Sequence, residues 1–328
     1  MVLIGGGGGK FEIELFVRLL TETIPGVAVP VFYVISGYLF FFKHEFTVEQ
    51  YKKQNIKRIK TLWVPYLLWN LIALIAIRLI PSFLHVTDIF SYIQQATLPS
   101  LIRDVVAVFG IHGGLPVDGP LYFIRNLIIM CVLSPIIYWI IKRVGFMFVV
   151  FLLLFWIIQN IFILEPWGSM SKAVTFFTLG SYIGIKKPNI RFVWNRGNVF
   201  VSIFLIISVV DSLLYSGVIC EKGLVNEYLY KVIVTLGVVV CFYIASMVKN
   251  IRYTKFNNTV FFIYASHLIT LTYLYPVIKH LYLQNNLFFY IVTYFTLLIA
   301  SIFSTMCIYG LCKRYMPAVA EVLSGNRK

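Results

Sequence analysis

The chain alternates long apolar runs with short polar segments. Nine such runs lie at roughly 24–42, 61–80, 120–141, 146–164, 170–185, 198–219, 229–248, 259–279 and 287–312. Their interiors are apolar on every face, without the period of two that a porin-type β-barrel requires. A helix needs about 20 apolar residues to cross a bilayer, and it satisfies its own backbone hydrogen bonds there. The pattern therefore predicts an all-α, polytopic integral membrane helical bundle with about nine spans.

Composition supports a membrane protein. Of the 328 residues, 60 % are apolar and 12 % are charged, against about 45–50 % and 25 % in an ordinary globular domain. A soluble fold cannot hide that much apolar surface. The five cysteines include no CxxC pair, so nothing favours a disulfide framework or a metal site, and buried apolar thiols are expected.

The net charge of +15 comes mainly from basic residues in alternate loops, so it does not predict a nucleic-acid partner. Basic residues concentrate in segments 43–60, 142–145, 186–197, 249–258 and 313–328. The intervening loops carry mainly acids, namely Asp88, Asp104, Asp118, Glu165, Glu221 and Glu227. The positive-inside rule therefore predicts a multi-pass protein with the basic loops and a tail at 319–328 in the cytoplasm.

The N-terminal segment does not fit a complete bundle. Residues 1–23 contain the glycine tract Gly5–Gly9 and no signal peptide. With nine spans and a cytoplasmic C-terminus, the N-terminus would lie outside. We therefore expect residues 1–23 to be irregular or truncated, with a preceding helix missing or replaced, and residues 24–318 to form the transmembrane domain.

Polar residues inside apolar spans are costly and are functional candidates. They are Asn70, Arg125, Asp211 and His267. The expected topology places Arg125 and Asp211 in the outer half of the bilayer, which suggests that they form an ion pair or contact substrate. The alternative is that Arg125 extends to the headgroups while Asp211 bonds a hydroxyl.

Two histidines are candidates for contact with substrate. His267 is the only histidine inside a span, and a neutral imidazole can act as a general base near pH 7; alternatively, it is a packing residue. His112 lies between glycines in the long outer segment 81–119, where it could touch substrate or have no role.

A basic stretch precedes the second run. Lys57, Arg58 and Lys60 lie at a helix start close to Trp63, a pattern that favours binding of a phosphorylated ligand. Positive-inside sorting and anionic lipid headgroups explain the same cluster without any ligand.

Five segments, in order, resemble the acyltransferase family 3 of membrane-bound O-acyltransferases. They are VAVPVFYVISGYLFFFK (27–43), KRIKTLWVPYLLWN (57–70), GPLYFIRNLIIMCVLSPIIYWIIK (119–142), FFTLGSYIG (176–184) and FFIYASHLI (261–269). The resemblance covers most of the chain. It implies a ten-helix enzyme of the cell (inner or cytoplasmic) membrane. The enzyme would move an acyl group, usually acetyl from acetyl-CoA, to a hydroxyl of a cell-surface or lipid-linked saccharide.

The resemblance also implies site residues. Lys57, Arg58 and Lys60 would hold the phosphates of coenzyme A, although Asn55 stands where the family has a second arginine. The family's first helix carries a catalytic histidine that this chain lacks, which leaves His267 as the replacement base. The chain is then a truncated or mis-started form of an active enzyme, or an inactive relative.

Two other functions stay open from the sequence. A transporter or flippase for lipid-linked saccharides would also use many helices and buried charges, and a non-catalytic membrane partner would need no base. No motif in the outer segments identifies the acceptor saccharide.

Overall fold

The computed structural model describes residues 10–42, 46–79, 116–159, 168–189, 191–216, 223–248, 259–281 and 287–325. Throughout these ranges the backbone is almost entirely helical, and they contain no β-strand. Each of the nine predicted spans corresponds to a helix in the described ranges. The prediction of an all-α membrane bundle is confirmed.

Helices are numbered here along the chain, and two of them are built from consecutive segments of different geometry. Helix α1 comprises Lys10–Phe16, Val17–Thr23, Ile24–Gly26 and Ala28–Phe42, and α2 comprises Val48–Arg58, Ile59–Trp63, Val64–Ala73 and Leu74–Leu79. The others are α3 (Gly119–Leu121 and Tyr122–Val144), α4 (Phe146–Ile158), α5 (Gly168–Lys186), α6 (Arg191–Asn195), α7 (Gly197–Tyr215), α8 (Leu224–Met247), α9 (Val260–Leu281), α10 (Leu287–Tyr315) and α11 (Pro317–Leu323).

Six of the described helices are long and apolar enough to cross a membrane. They are Glu12–Phe42, Val48–Ala76, Gly119–Val144, Gly197–Tyr215, Leu224–Met247 and Leu287–Tyr315. Two shorter apolar helices, Phe146–Ile158 and Val260–Tyr275, match further predicted spans. Helix α5 has 19 residues, but its serines, threonines, glycines and Lys172 make it less apolar than the six.

Helix α1 begins earlier than the predicted span. The backbone is helical from Lys10, within the segment 1–23 that was expected to be irregular or truncated. Val17–Thr23 has π-helical geometry, and the Thr23 hydroxyl donates to the Arg18 carbonyl at 2.7 Å. In the sequence, Arg18 and the acids around it interrupt the apolar run. In the structure Arg18 has carboxylate partners, so its charge is compatible with a buried helix.

The described residues divide into two compact units. The first comprises residues 1–50, 130–252 and 284–290, and the second comprises residues 51–129, 253–283 and 291–328. The first unit contains helices α1, α4, α5, α6, α7 and α8. The second contains α9, α11 and most of α2 and α10, and the boundary at residues 129 and 130 divides α3 between the two.

Within the first unit, α1 and α5 pack with their backbones in contact. A Cβ atom on Gly180 would lie 2.0 Å from the Val34 carbonyl oxygen, and one on Gly37 would lie 2.1 Å from the Phe177 oxygen. Gly184 follows one turn later on the same face of α5 and approaches Tyr38. Small residues at this spacing allow close approach of membrane helices, where dispersion contacts replace the hydrophobic effect as the driving force.

Within the second unit, Trp69 connects three helices. Its ring packs edge-to-face on Phe262 of α9, with centroids 5.0 Å apart. Its indole Nε1–H donates to the Leu323 carbonyl at 3.0 Å, near the end of α11. The expected tail at 319–328 thus begins with residues that pack against α2.

Candidate active site

The sequence candidates fall into three groups in the structure. Asn70, Arg125 and His267 belong to the second unit, as does the basic stretch of Lys57, Arg58 and Lys60. Asp211 belongs to the first unit. His112 lies outside the described residues, and its predicted contact with substrate stays a prediction.

Asp211 has a different partner from the one expected. Its carboxylate receives two hydrogen bonds from Arg18, at 2.7 Å from Nε and 3.2 Å from Nη2. The Asn226 amide adds a longer bond at 3.4 Å. The expected pairing of Asp211 with Arg125 is therefore wrong, because the carboxylate is occupied by an arginine of α1 that lies 193 residues away in sequence.

Arg18 is enclosed on several sides. Its Nη1 donates to Glu22 at 2.9 Å and its Nη2 to the Asn226 carbonyl at 3.1 Å. The guanidinium carbon lies 4.6 Å from the Tyr215 ring centroid and 5.2 Å from that of Tyr230. These contacts satisfy a buried charge and hold the N-terminal part of α1 against α7 and α8, so they indicate a structural role.

In the second unit, Asn70 links α2 to the start of α3. It is fully buried; its Nδ2 donates to the Tyr66 carbonyl at 2.8 Å, and its Oδ1 accepts from the backbone N–H of Asp118 at 3.2 Å. The amide therefore fixes the residue that precedes the first turn of α3. Asn70 was a candidate because of its expected depth in the membrane. In the structure it connects two helices.

Asp118 is the functional candidate that the sequence did not single out. Its side chain is 0 % exposed, and no group among the described residues hydrogen-bonds either of its carboxyl oxygens. Burial raises the pKa of Asp118 to about 7. In the sequence it was one of several acids in an outer loop, and no local pattern reveals that it is buried.

His267 lies on α9 with one ring nitrogen engaged. Its Nδ1–H donates to the Tyr264 backbone carbonyl of the same helix. The side chain is half-buried. Donation from Nδ1 leaves Nε2 with its lone pair, which is the form of imidazole that can accept a proton.

Tyr264 and Arg125 complete this region. The Tyr264 hydroxyl donates to the Pro120 carbonyl, which joins α9 to the first turn of α3. Arg125 is half-buried on α3, and its Nε donates to Asn126 at 3.1 Å. The Tyr66 phenol lies within electrostatic range of both Arg125 and Asp118. The second unit thus brings together a base, a cation, a buried carboxyl and a phenol, the group types that acid–base and oxyanion chemistry require.

The basic stretch begins near the end of the first segment of α2. Lys57 and Lys60 are exposed and Arg58 is half-buried. Lys53, Lys57 and Lys60 are spaced four and three residues apart, which places them along one side of the helix. Trp63 is 38 % exposed one further turn along. This exposed cationic side can meet an anionic group, whether a phosphate ligand or a lipid headgroup.

Comparisons with known proteins agree with the resemblance seen in the sequence. A family model described as an acyltransferase domain, Acyl_transf_3, matches residues 1–309. A curated relative, the succinoglycan biosynthesis protein ExoH of Rhizobium meliloti (strain 1021), is 23 % identical over 318 residues, which covers 94 % of this chain and 81 % of the relative. No solved structure matches the chain.

Proposed function

The chain belongs to acyltransferase family 3, and we propose that it transfers an acyl group from an acyl-CoA thioester to a hydroxyl of a cell-surface or lipid-linked saccharide. The observation that carries this proposal is the hydrogen bond between His267 Nδ1 and a backbone carbonyl, which would leave Nε2 as the base. The name of the relative, a succinoglycan biosynthesis protein, supports a saccharide acceptor.

The proposed reaction is direct transfer. His267 Nε2 takes the proton of the acceptor hydroxyl as the hydroxyl oxygen attacks the thioester carbonyl carbon. The tetrahedral intermediate then collapses, its C–S bond breaks, and coenzyme A leaves as a thiolate that receives the proton from the imidazolium. Arg125 supplies positive charge for the oxyanion that forms on the carbonyl oxygen.

The basic stretch would bind the donor. Lys57, Arg58 and Lys60 provide three cations within four residues, which suits the phosphates of coenzyme A. By the positive-inside rule this stretch would lie on the cytoplasmic side, together with the C-terminus, and the family suggests the cytoplasmic membrane. Donor entry from the cytoplasm and an acceptor on the other side then require the acyl group to pass through the bundle.

The direct test follows a label from donor to acceptor. The protein, purified in detergent, is incubated with acetyl-CoA labelled in the acetyl group, together with hexyl glycosides of glucose, galactose, mannose and N-acetylglucosamine. The proposal predicts labelled ester on at least one glycoside and an equal amount of free coenzyme A. A flippase or a non-catalytic partner would form neither product, and that result would refute the proposal.

A second measurement tests the donor site. The double variant Lys57→Ala/Lys60→Ala should raise the KM for acetyl-CoA by about tenfold or more, because each lost charged contact weakens binding by about 1.5–3 kcal/mol. Arg191→Ala, which removes an exposed cation from another basic segment, is the matched control. If the double variant and Arg191→Ala have the same KM for acetyl-CoA, the stretch does not bind the donor and its role is to contact lipid headgroups.

A further inference from the structure

Three buried polar atoms of the second unit are left without a hydrogen bond. They are both carboxyl oxygens of Asp118 and the hydroxyl of Tyr66, and none has a partner among the described residues. The two side chains are 0 % and 2 % exposed. Buried carboxyl and hydroxyl groups are normally satisfied, since an unmade bond retains the full cost of desolvation. Buried polar groups that lack hydrogen bonds and lie in one region indicate a ligand-binding site.

The three atoms belong to one place in the fold. Asn70 bonds the carbonyl of Tyr66 on one side and the backbone N–H of Asp118 on the other, at 2.8 and 3.2 Å. Tyr66 and Asp118 are within electrostatic range of each other. From α9, Tyr264 is also within range of Asp118, but it donates its hydroxyl to the Pro120 carbonyl. Tyr264 therefore does not satisfy the carboxyl.

The charges around Asp118 narrow the chemistry of the ligand. A free anion such as phosphate would be repelled by the Asp118 carboxylate. A metal ion would need further ligands, and the described residues contain no group of three or more histidine, cysteine or acidic side chains that could hold one. Arg125, which is within electrostatic range of Tyr66, also disfavours a cation. The remaining candidate is a neutral group that donates two hydrogen bonds and makes a third as donor or acceptor.

We propose that Asp118 and Tyr66 form the subsite for the hydroxyl groups of the saccharide acceptor. Two hydroxyls on adjacent sugar carbons donate to the two carboxylate oxygens, and the Tyr66 phenol bonds to a third oxygen of the same sugar. Asn70 positions the subsite through its two bonds. The inference rests on the proposed function and specifies which residues of α2 and α3 recognise the acceptor.

The position of the subsite agrees with the proposed base. A Cβ atom on Gly119 would lie 4.0 Å from Leu268, the residue that follows His267. The residue beside Asp118 therefore lies near the turn of α9 that carries the imidazole. Because burial raises the pKa of Asp118 to about 7, the carboxyl is partly ionised at neutral pH, and its strength as an acceptor should increase above that pH.

Kinetics with separate donor and acceptor readouts test the subsite. Using the hexyl glycoside that wild type acylates, Asp118→Asn should raise the acceptor KM about 10- to 100-fold, the effect of losing a hydrogen bond to a charged group. Tyr66→Phe should raise it about two- to tenfold. The KM for acetyl-CoA should change less than twofold in both variants, because the donor is assigned to Lys57, Arg58 and Lys60. Tyr273→Phe, which removes a phenol that bonds the Ala76 carbonyl, should leave the acceptor KM unchanged.

The outcomes separate the inference from the proposed function. If wild type acylates none of the glycosides, the proposed function fails and the inference fails with it. If wild type is active but Asp118→Asn and Tyr66→Phe keep the wild-type acceptor KM, the subsite alone is refuted and its polar atoms bind only water. An equal rise in the KM for acetyl-CoA would also refute it, by showing a structural role. Should Asp118→Asn fail to fold, the KM of Tyr66→Phe decides.

Discussion

Removing Arg18 should destabilise the protein more than removing its partner Asp211. Arg18→Met leaves the fully buried Asp211 carboxylate with only the Asn226 amide at 3.4 Å. Asp211→Asn leaves Arg18 bonded to Glu22 at 2.9 Å and to the Asn226 carbonyl at 3.1 Å. Removing one member of a buried pair costs about 3–5 kcal/mol. We expect that full cost for Arg18→Met and about 1–3 kcal/mol, the loss of a charged hydrogen bond, for Asp211→Asn.

The double variant Arg18→Met/Asp211→Asn distinguishes a charge effect from a packing effect. It leaves no buried charge without a partner, because Glu22 is 39 % exposed. Its free energy of unfolding should therefore be no lower than that of Arg18→Met alone, and the double-mutant cycle should show coupling of about 1–3 kcal/mol.

Unfolding in mixed micelles, followed by circular dichroism as the fraction of denaturing detergent rises, gives the free energies of these variants. Arg191→Met, at an exposed arginine, is the control and should match wild type. The reasoning is refuted if Asp211→Asn is as destabilising as Arg18→Met, or if the costs of the two single variants add.

Three further predictions concern packing and titration. Gly180→Ala should lower the unfolding temperature, since its Cβ would lie 2.0 Å from the Val34 oxygen, whereas Gly310→Ala, with no atom within 4 Å, should leave it unchanged or raised; equal effects would contradict the close helix contact. Trp69→Phe removes the bond to the α11 carbonyl at 3.0 Å and should cost about 1 kcal/mol, and hydrogen exchange in α11 should accelerate; unchanged exchange would contradict the docking. Burial raises the pKa of Asp118 from 3.8 to about 7, so the folded state binds this proton more tightly than the unfolded state. Ionisation of Asp118 therefore destabilises the folded state. The effect is absent below about pH 4 and complete above about pH 7, where it reaches at most about 4 kcal/mol. Unfolding titrations should show Asp118→Asn gaining stability over wild type across that range, and a constant difference would contradict the burial.

The helical spans could be predicted from the sequence because the signal is local. A bilayer sets the length of each apolar run, and the runs are read directly along the chain. The extension of α1 to Lys10 was missed because Arg18 made its surroundings too polar to count as a span. Only the packing of α1 against α7 and α8 shows that the charge is neutralised.

The partner of Asp211 could not be predicted for a related reason. The rule that buried charges pair identifies Asp211 as a residue that needs a partner, but it does not say which helix supplies the cation. The sequence placed Arg125 and Asp211 at similar depths and left Arg18 in a segment expected to be irregular. Which helices are neighbours is a long-range property that hydropathy does not contain.

The candidate site was predictable in part. Asn70, Arg125 and His267 were found by a single physical criterion, the cost of a polar group inside an apolar span, and the structure places them in the same unit. Asp118 was missed because it precedes the span and was counted with the acids of an outer loop. Its significance depends on two facts that require coordinates, its complete burial and its lack of a hydrogen-bond partner within the described ranges.

The central claim is that His267 Nε2 acts as the base of an acyl transfer. The measurement is the turnover of His267→Gln with labelled acetyl-CoA and the acylated hexyl glycoside, beside Ser266→Ala, which removes a buried hydroxyl from the adjacent position of the same helix. We predict that His267→Gln loses about 100-fold or more of kcat, the usual contribution of a general base, while Ser266→Ala stays within about threefold of wild type. A folded His267→Gln protein that turns over at the wild-type rate would contradict the account.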